Sequence, residues 1–154
     1  MRIPSSLPLP ARISSGWRIG IVHSLCHPEL TEKLTESAER VLMEAGLPKG
    51  NVRRFPAAGS FEIPLIGASL LKADEVDALI GLGVIVQGET HHAALIAQEA
   101  ARAMMELQIT YRRPFAFEIL YVDTLEQARA RMNRGEEAAR AVLHSLAQIE
   151  RLHS

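Results

Sequence analysis

The run Ala78-Leu79-Ile80-Gly81-Leu82-Gly83-Val84-Ile85-Val86 restricts this chain's fold more than any other segment. It carries no polar side chain and no alternation of polar and apolar residues. A strand with one face in water would alternate. A strand without alternation has both faces covered, and that points to a parallel sheet between layers of helix. The apolar stretch Ile19-Gly20-Ile21-Val22, within a strand expected from Arg18 to His23, has the same character.

Helical patterns separate the strand candidates. After the first strand, Pro28 suits a first helical turn. Leu30, Leu34, Ala38, Val41, Leu42 and Ala45 recur at helical spacing, and Gly46 fits the stop. A short strand is expected from Asn51 to Phe55. Ser60 is placed to cap a helix from Phe61 to about Lys72, with Pro64 in its first turn. The Val76–Val86 strand leads to a helix from Thr90 to Leu107, capped by Thr90, with Leu95, Ala101, Met104 and Met105 among its apolar positions. A strand from Pro114 to Val122 follows. Thr124 with Gln127 forms a capping box for a helix through about Arg131. Gly135 is expected to break or bend the chain before a last helix from Glu136 to about Leu152. Four strands, each followed by helix, define an α/β domain with a mainly parallel four-stranded sheet and right-handed crossovers. Ligands of such sheets bind at the carboxyl ends of the strands. The turns to inspect are therefore His23–His27, Ala57–Glu62, Gln87–His92 and Glu118–Thr124.

Bulk properties narrow the functional classes. The 154 residues suit one domain, and 47% hydrophobic with 23% charged residues argues against disorder. A formal charge of −1 without a long basic run disfavours nucleic acid as the main partner. The single cysteine, Cys26, forms no internal disulfide, which fits a reducing cytoplasm. No segment approaches the roughly 18 apolar residues of a membrane span. Residues 1–15, with Pro4, Pro8 and Pro10, lack the apolar core of a signal peptide and read as an N-terminal arm that orders only against a partner. Residues 16–154 form the domain.

Two turns carry candidate chemistry. In Gln87-Gly88-Glu89-Thr90-His91-His92, a strand ends in a glycine turn and a helix begins. Helix starts hold anions because their first N–H groups lack internal partners. A neighbouring imidazole moves protons near neutral pH. An ordinary capped helix with two exposed histidines explains the same residues. Adjacent histidines on a helix chelate a metal poorly, so no metal is expected. In Gly59-Ser60-Phe61-Glu62, a second glycine turn opens a helix, and Glu62 can accept hydrogen bonds from a polyhydroxylated ligand. Its plain reading is a cap and a first-turn acid. Arg129, Arg131 and Arg134 offer forks for phosphate, although most arginines are solvated. Cys26 beside His27 lacks any catalytic-cysteine signature, and a plain turn cysteine accounts for it.

Four segments in order resemble the lumazine synthase family, and the resemblance runs from about Trp17 to Ile149. They are Gly59-Ser60-Phe61-Glu62-Ile63-Pro64, Leu82 through His92, Thr124 through Arg131, and Arg134-Gly135-Glu136-Glu137-Ala138-Ala139. The resemblance implies a flavodoxin-like, three-layer fold. It implies homopentamers with active sites between subunits, sometimes further assembled into icosahedral shells. It also implies condensation of 5-amino-6-ribitylaminouracil with 3,4-dihydroxy-2-butanone 4-phosphate to 6,7-dimethyl-8-ribityllumazine in riboflavin biosynthesis, without metal or organic cofactor. By matching position, His92 resembles the acid–base histidine. Gly88, Glu89 and Thr90 resemble the phosphate turn, and Arg131 the phosphate-binding arginine. Gly59, Ser60, Phe61 and Glu62 resemble the segment that holds the pyrimidine and its ribityl chain. Val84, Ile85 and Val86 resemble the strand end lining the ring pocket. Phe117, like Arg131, resembles a residue supplied by a neighbouring subunit.

Three departures stand out. Cys26 occupies the substrate-facing position where the family usually has an aromatic residue. Ala58 replaces a proline before the Gly59 turn. The stretch between Arg131 and Gly135 is about four residues shorter than in many members, which removes a lysine-bearing loop near subunit contacts. The Cys26 departure motivates an alternative reading: a catalytically weakened paralogue serving as a ligand-binding or oligomeric scaffold.

Overall fold

A computed structural model describes residues 2–4 and 7–154; Met1, Ser5 and Ser6 of the N-terminal arm lie outside the described residues. The elements are β1 (Ile19–Ser24), α1 (Pro28–Glu44), β2 (Val52–Ala57), α2 (Ile63–Lys72), β3 (Ala78–Val86), α3 (His92–Tyr111), β4 (Phe115–Val122), α4 (Leu125–Arg129) and α5 (Arg134–Leu152). Short 3-10 turns at Lys49–Asn51 and Ser60–Glu62 precede β2 and α2.

The sheet has the order β2-β1-β3-β4, and every pairing is parallel. β3 lies inside the sheet, and all its residues except Val86 are buried. Alternate side chains face opposite layers. Ala78, Ile80, Leu82 and Val84 join the cluster with α1, α4 and α5, whereas Leu79 and Ile85 join the cluster with α2 and α3. The result is a three-layer α/β sandwich of the flavodoxin-like kind. β2 is an edge strand, so it tolerates Pro56, which has no N–H to give. That tolerance carries the strand two residues past its expected end at Phe55.

Local signals act largely as the sequence predicts. Gly46 adopts φ 93° after α1. The Gly46 N–H donates to Met43 O (2.9 Å) and the Leu47 N–H to Leu42 O (3.3 Å), the two bonds of a Schellman stop. The Thr124 hydroxyl accepts from Gln127 N at 3.2 Å, and the Gln127 carboxamide oxygen accepts from Asp123 N at 2.8 Å.

Other expectations need correction. Gly135 breaks nothing and sits in the first turn of α5. A Cβ there would collide with the Leu34 carbonyl oxygen and the Ser37 hydroxyl of α1. The glycine lets two helices approach closely, a contact visible only in three dimensions. In α3 the buried positions are Ala93, Ala100 and Met104, whereas Leu95 and Met105 are exposed. This helix has two apolar stripes, and the one with small residues lies on the sheet. α3 also extends to Tyr111 and ends at Arg112 in the left-handed region (φ 53°). The described part of the arm packs on its own domain. Leu9 and Ile13 lie against the α1–α5 cluster, and Leu7 O accepts from Arg140 Nη1 at 3.3 Å.

Candidate active site

The carboxyl ends of β1 and β3, with the turn after β2, open onto one cavity of about 750 Å³. Its floor is Val84, Ile85 and Val86 at the end of β3. One wall is Gly59, Ser60, Phe61 and Glu62; Cys26 and His27 follow from the turn after β1. His92, at the first position of α3, completes the opposite wall. Three turns far apart in sequence meet because parallel strands place all their carboxyl ends at one edge of the sheet.

Backbone bonds hold these turns together. Leu25 N donates to Ala57 O at 2.9 Å, tying the turn after β1 to the end of β2. Cys26 N donates to the buried Ser24 hydroxyl at 3.1 Å. His27 takes φ 52° to start α1, with Pro28 next, so the chain reverses sharply beside the cavity. A Cβ on Gly59 would lie 3.1 Å from Glu62 Oε1 and 3.7 Å from Cys26 Sγ. The bare backbone at Gly59 thus sits beside both the carboxylate and the thiol.

Ser60 is not the helix cap that its position suggests. It lies in the 3-10 turn before α2, and its hydroxyl makes no cap bond. The residue is only 6% exposed, yet it lines the cavity. A buried hydroxyl at a cavity wall can donate or accept a hydrogen bond there. The helix after Gly88 also starts later than expected, at His92 rather than Thr90. The Thr90 hydroxyl accepts from His92 N at a long 3.4 Å, so Thr90 is a weak cap. The N–H groups of Gly88, Glu89, Thr90 and His91 find no acceptor within the described residues. Four successive free donors at the head of a helix suit an anion.

Several expected residues lie elsewhere. Gly88, Glu89 and Thr90 are exposed beside the cavity and do not line it. Phe117 is half-buried in the cluster with α2 and α3. Arg131 follows α4, on the other face of the sheet, where its Nη1 donates to Gln127 O at 2.6 Å. The charged groups on the cavity wall are therefore the carboxylates Glu62 and Glu99, with His27 and His92 as the titratable imidazoles. Ala93, Leu95, Ile96 and Glu99 also line the cavity, and sequence reading did not single them out as a wall. The spacing of Leu95, Ile96 and Glu99 from His92 gives the missed signal, because positions three, four and seven along a helix share a face. His92 lines the cavity and His91 does not, and among the described residues no group of three or more His, Cys, Asp or Glu gathers as a metal site.

Fold and site together define an all-parallel α/β protein with an open pocket at the strand ends and an anion-ready helix start next to a histidine. The family model for 6,7-dimethyl-8-ribityllumazine synthase matches residues 16–150. Similar proteins include 6,7-dimethyl-8-ribityllumazine synthases of Cytophaga hutchinsonii (38% identical, 84% of each chain covered) and Paracidovorax citrulli (36%, 87% of this chain and 88% of the other). The same enzyme of Aquifex aeolicus is 34% identical over 82% of this chain and 85% of its own. The chain belongs to the 6,7-dimethyl-8-ribityllumazine synthase family.

Proposed function

We propose that the chain condenses 5-amino-6-ribitylaminouracil with 3,4-dihydroxy-2-butanone 4-phosphate, giving 6,7-dimethyl-8-ribityllumazine, phosphate and water. The observation that carries the reading is the convergence of Gly59–Glu62, Val84–Val86 and His92 on one cavity. The apolar floor accepts a flat ring. Ser60 and Glu62 offer hydrogen bonds to its polar edge and ribityl hydroxyls. The free N–H groups from Gly88 to His91 receive the phosphate. His92 serves the proton transfers of imine formation, phosphate elimination and ring closure. Holding the two substrates together supplies much of the acceleration.

A phosphate at this pocket needs a cation, and the wall within one chain presents two carboxylates and no arginine or lysine. That imbalance supports a site completed by Arg131 of a neighbouring copy; the part of Phe117 in it rests on the family resemblance alone. The proposed assembly is a homopentamer, a shell being a further step, in the cytoplasm. Among the described residues no helix is long and apolar enough to cross a membrane. Cys26 takes an aromatic position, but Ser60, Glu62 and His92 all reach the cavity, which favours a working enzyme over a scaffold. Incubating the protein with both substrates tests the reading. Lumazine and phosphate should appear together above the spontaneous rate, and no increase over that rate would refute it.

A further inference from the structure

Tyr121 stands beside Ile85 in the β3–β4 register, at the carboxyl end of β4. It is 45% exposed, so core packing does not account for it. Its hydroxyl donates to Gln87 Oε1. The same carboxamide, through Nε2, donates to Gly88 O (3.2 Å) and Thr90 O (3.4 Å), while Gln87 N is anchored on Val122 O at 2.8 Å. The carboxamide therefore faces two carbonyls of the turn that precedes His92.

The orientation of those carbonyls has a consequence. In a trans peptide the C=O and N–H point in opposite directions. With Gly88 O and Thr90 O turned toward Gln87, the N–H groups of Glu89 and His91 are turned away from it. Those are two of the four donors without an acceptor in the described chain. A carboxamide can flip and exchange its oxygen and nitrogen. The flip would set Oε1 against the Gly88 and Thr90 carbonyl oxygens, acceptor against acceptor, whereas the phenol can give or take a hydrogen bond. The carbonyls thus set which way the amide points, and the phenol's bond from the other side holds the carboxamide in place against the turn.

We propose that Tyr121 is a positioning residue: through Gln87 it sets the turn's N–H groups toward the phosphate of the sugar-derived substrate. This rests on the phosphate role proposed above for Gly88, Glu89 and Thr90. The role differs from general support of the fold, because it concerns one substrate only.

Steady-state kinetics of Tyr121→Phe, with each substrate varied in turn, test it beside calorimetric titration of inorganic phosphate. Losing one oriented hydrogen bond should weaken phosphate-substrate binding about 3–10-fold. The expected result is a KM for the phosphate substrate and a Kd for inorganic phosphate raised by that factor. The KM for the pyrimidine and the melting temperature should be unchanged. Gln87→Ala should show the same pattern, and the double variant should be no worse than Gln87→Ala alone. Unchanged phosphate-substrate KM and phosphate Kd in an active Tyr121→Phe enzyme would overturn the positioning role and leave the proposed function standing. Equal rises for both substrates, or a lowered melting temperature, would also overturn it. A wild-type protein that forms no lumazine would instead refute the proposed function; the phosphate titration would then still report on the turn.

Discussion

Ser60 projects its hydroxyl across the face of β3 at Gly83, where a Cβ would collide with it. The missing side chain at 83 is what makes room for a buried hydroxyl at the cavity. The other neighbours of that Cβ, Ile119 Cγ2 and Ser24 Cβ, lie at an ordinary 3.5 Å. Gly83→Ala should therefore fold and turn the Ser60 hydroxyl out of place. Loss of one hydrogen bond to the pyrimidine predicts a KM for that substrate about 3–10-fold higher. Kinetics with the phosphate substrate saturating check this, and an unchanged KM would remove Ser60 from the site.

Gly135→Ala should behave differently. Its Cβ meets backbone, namely the Leu34 carbonyl and, at 2.9 Å, Ala38 N. Neither can rotate away, so α1 and α5 must separate. A destabilisation of about 1–3 kcal/mol or more is expected. Chemical denaturation would measure it, and a stability equal to wild type would contradict the account of this contact.

Glu118 predicts a pH dependence of stability. It is 1% exposed, and burial pushes its carboxyl up to about 7, with Glu137 adding repulsion and Arg134 opposing it. The folded-state value lies above the unfolded value, so the folded chain holds the proton longer as pH rises. The resulting stabilisation is complete below about pH 4.5 and is lost as pH rises toward about 7. Denaturation midpoints for wild type and Glu118→Gln between pH 5 and 8 would show it. The wild-type midpoint should fall with pH relative to the variant, and parallel curves would exclude the coupling.

A site shared between copies predicts complementation. His92→Ala and Arg131→Ala subunits should each be impaired in uniform assemblies. Mixed assemblies formed by refolding the two together should recover part of the activity, because some interfaces pair intact His92 with intact Arg131. No recovery in assemblies shown to be mixed would place both residues in one subunit's site or outside it.

Much of this was readable in the sequence because its signals are local. The unbroken apolar run of β3, the Gly46 stop and the Thr124–Gln127 box each depend on neighbours within a few residues. Ser60 and Gly135 misled for the opposite reason. A serine before a helix and a glycine before a helix have standard local readings, whereas here their partners are Gly83 and Leu34 from distant elements. The Tyr121–Gln87 bond joins residues 34 apart and leaves no mark in any short motif. The cavity's position was legible from the topology alone. Its α3 wall was not, because Leu95 reads as a core residue and stands at the cavity instead.

The role proposed for His92 is proton transfer for lumazine formation in this cavity. Steady-state turnover by wild type and His92→Ala, both substrates saturating, tests it most directly. His92 is exposed, so the substitution should leave the fold intact. Wild type should form lumazine above the spontaneous rate, and His92→Ala should be slower by about 10²–10⁴-fold with substrate binding largely kept. Equal turnover by the two proteins would contradict the account.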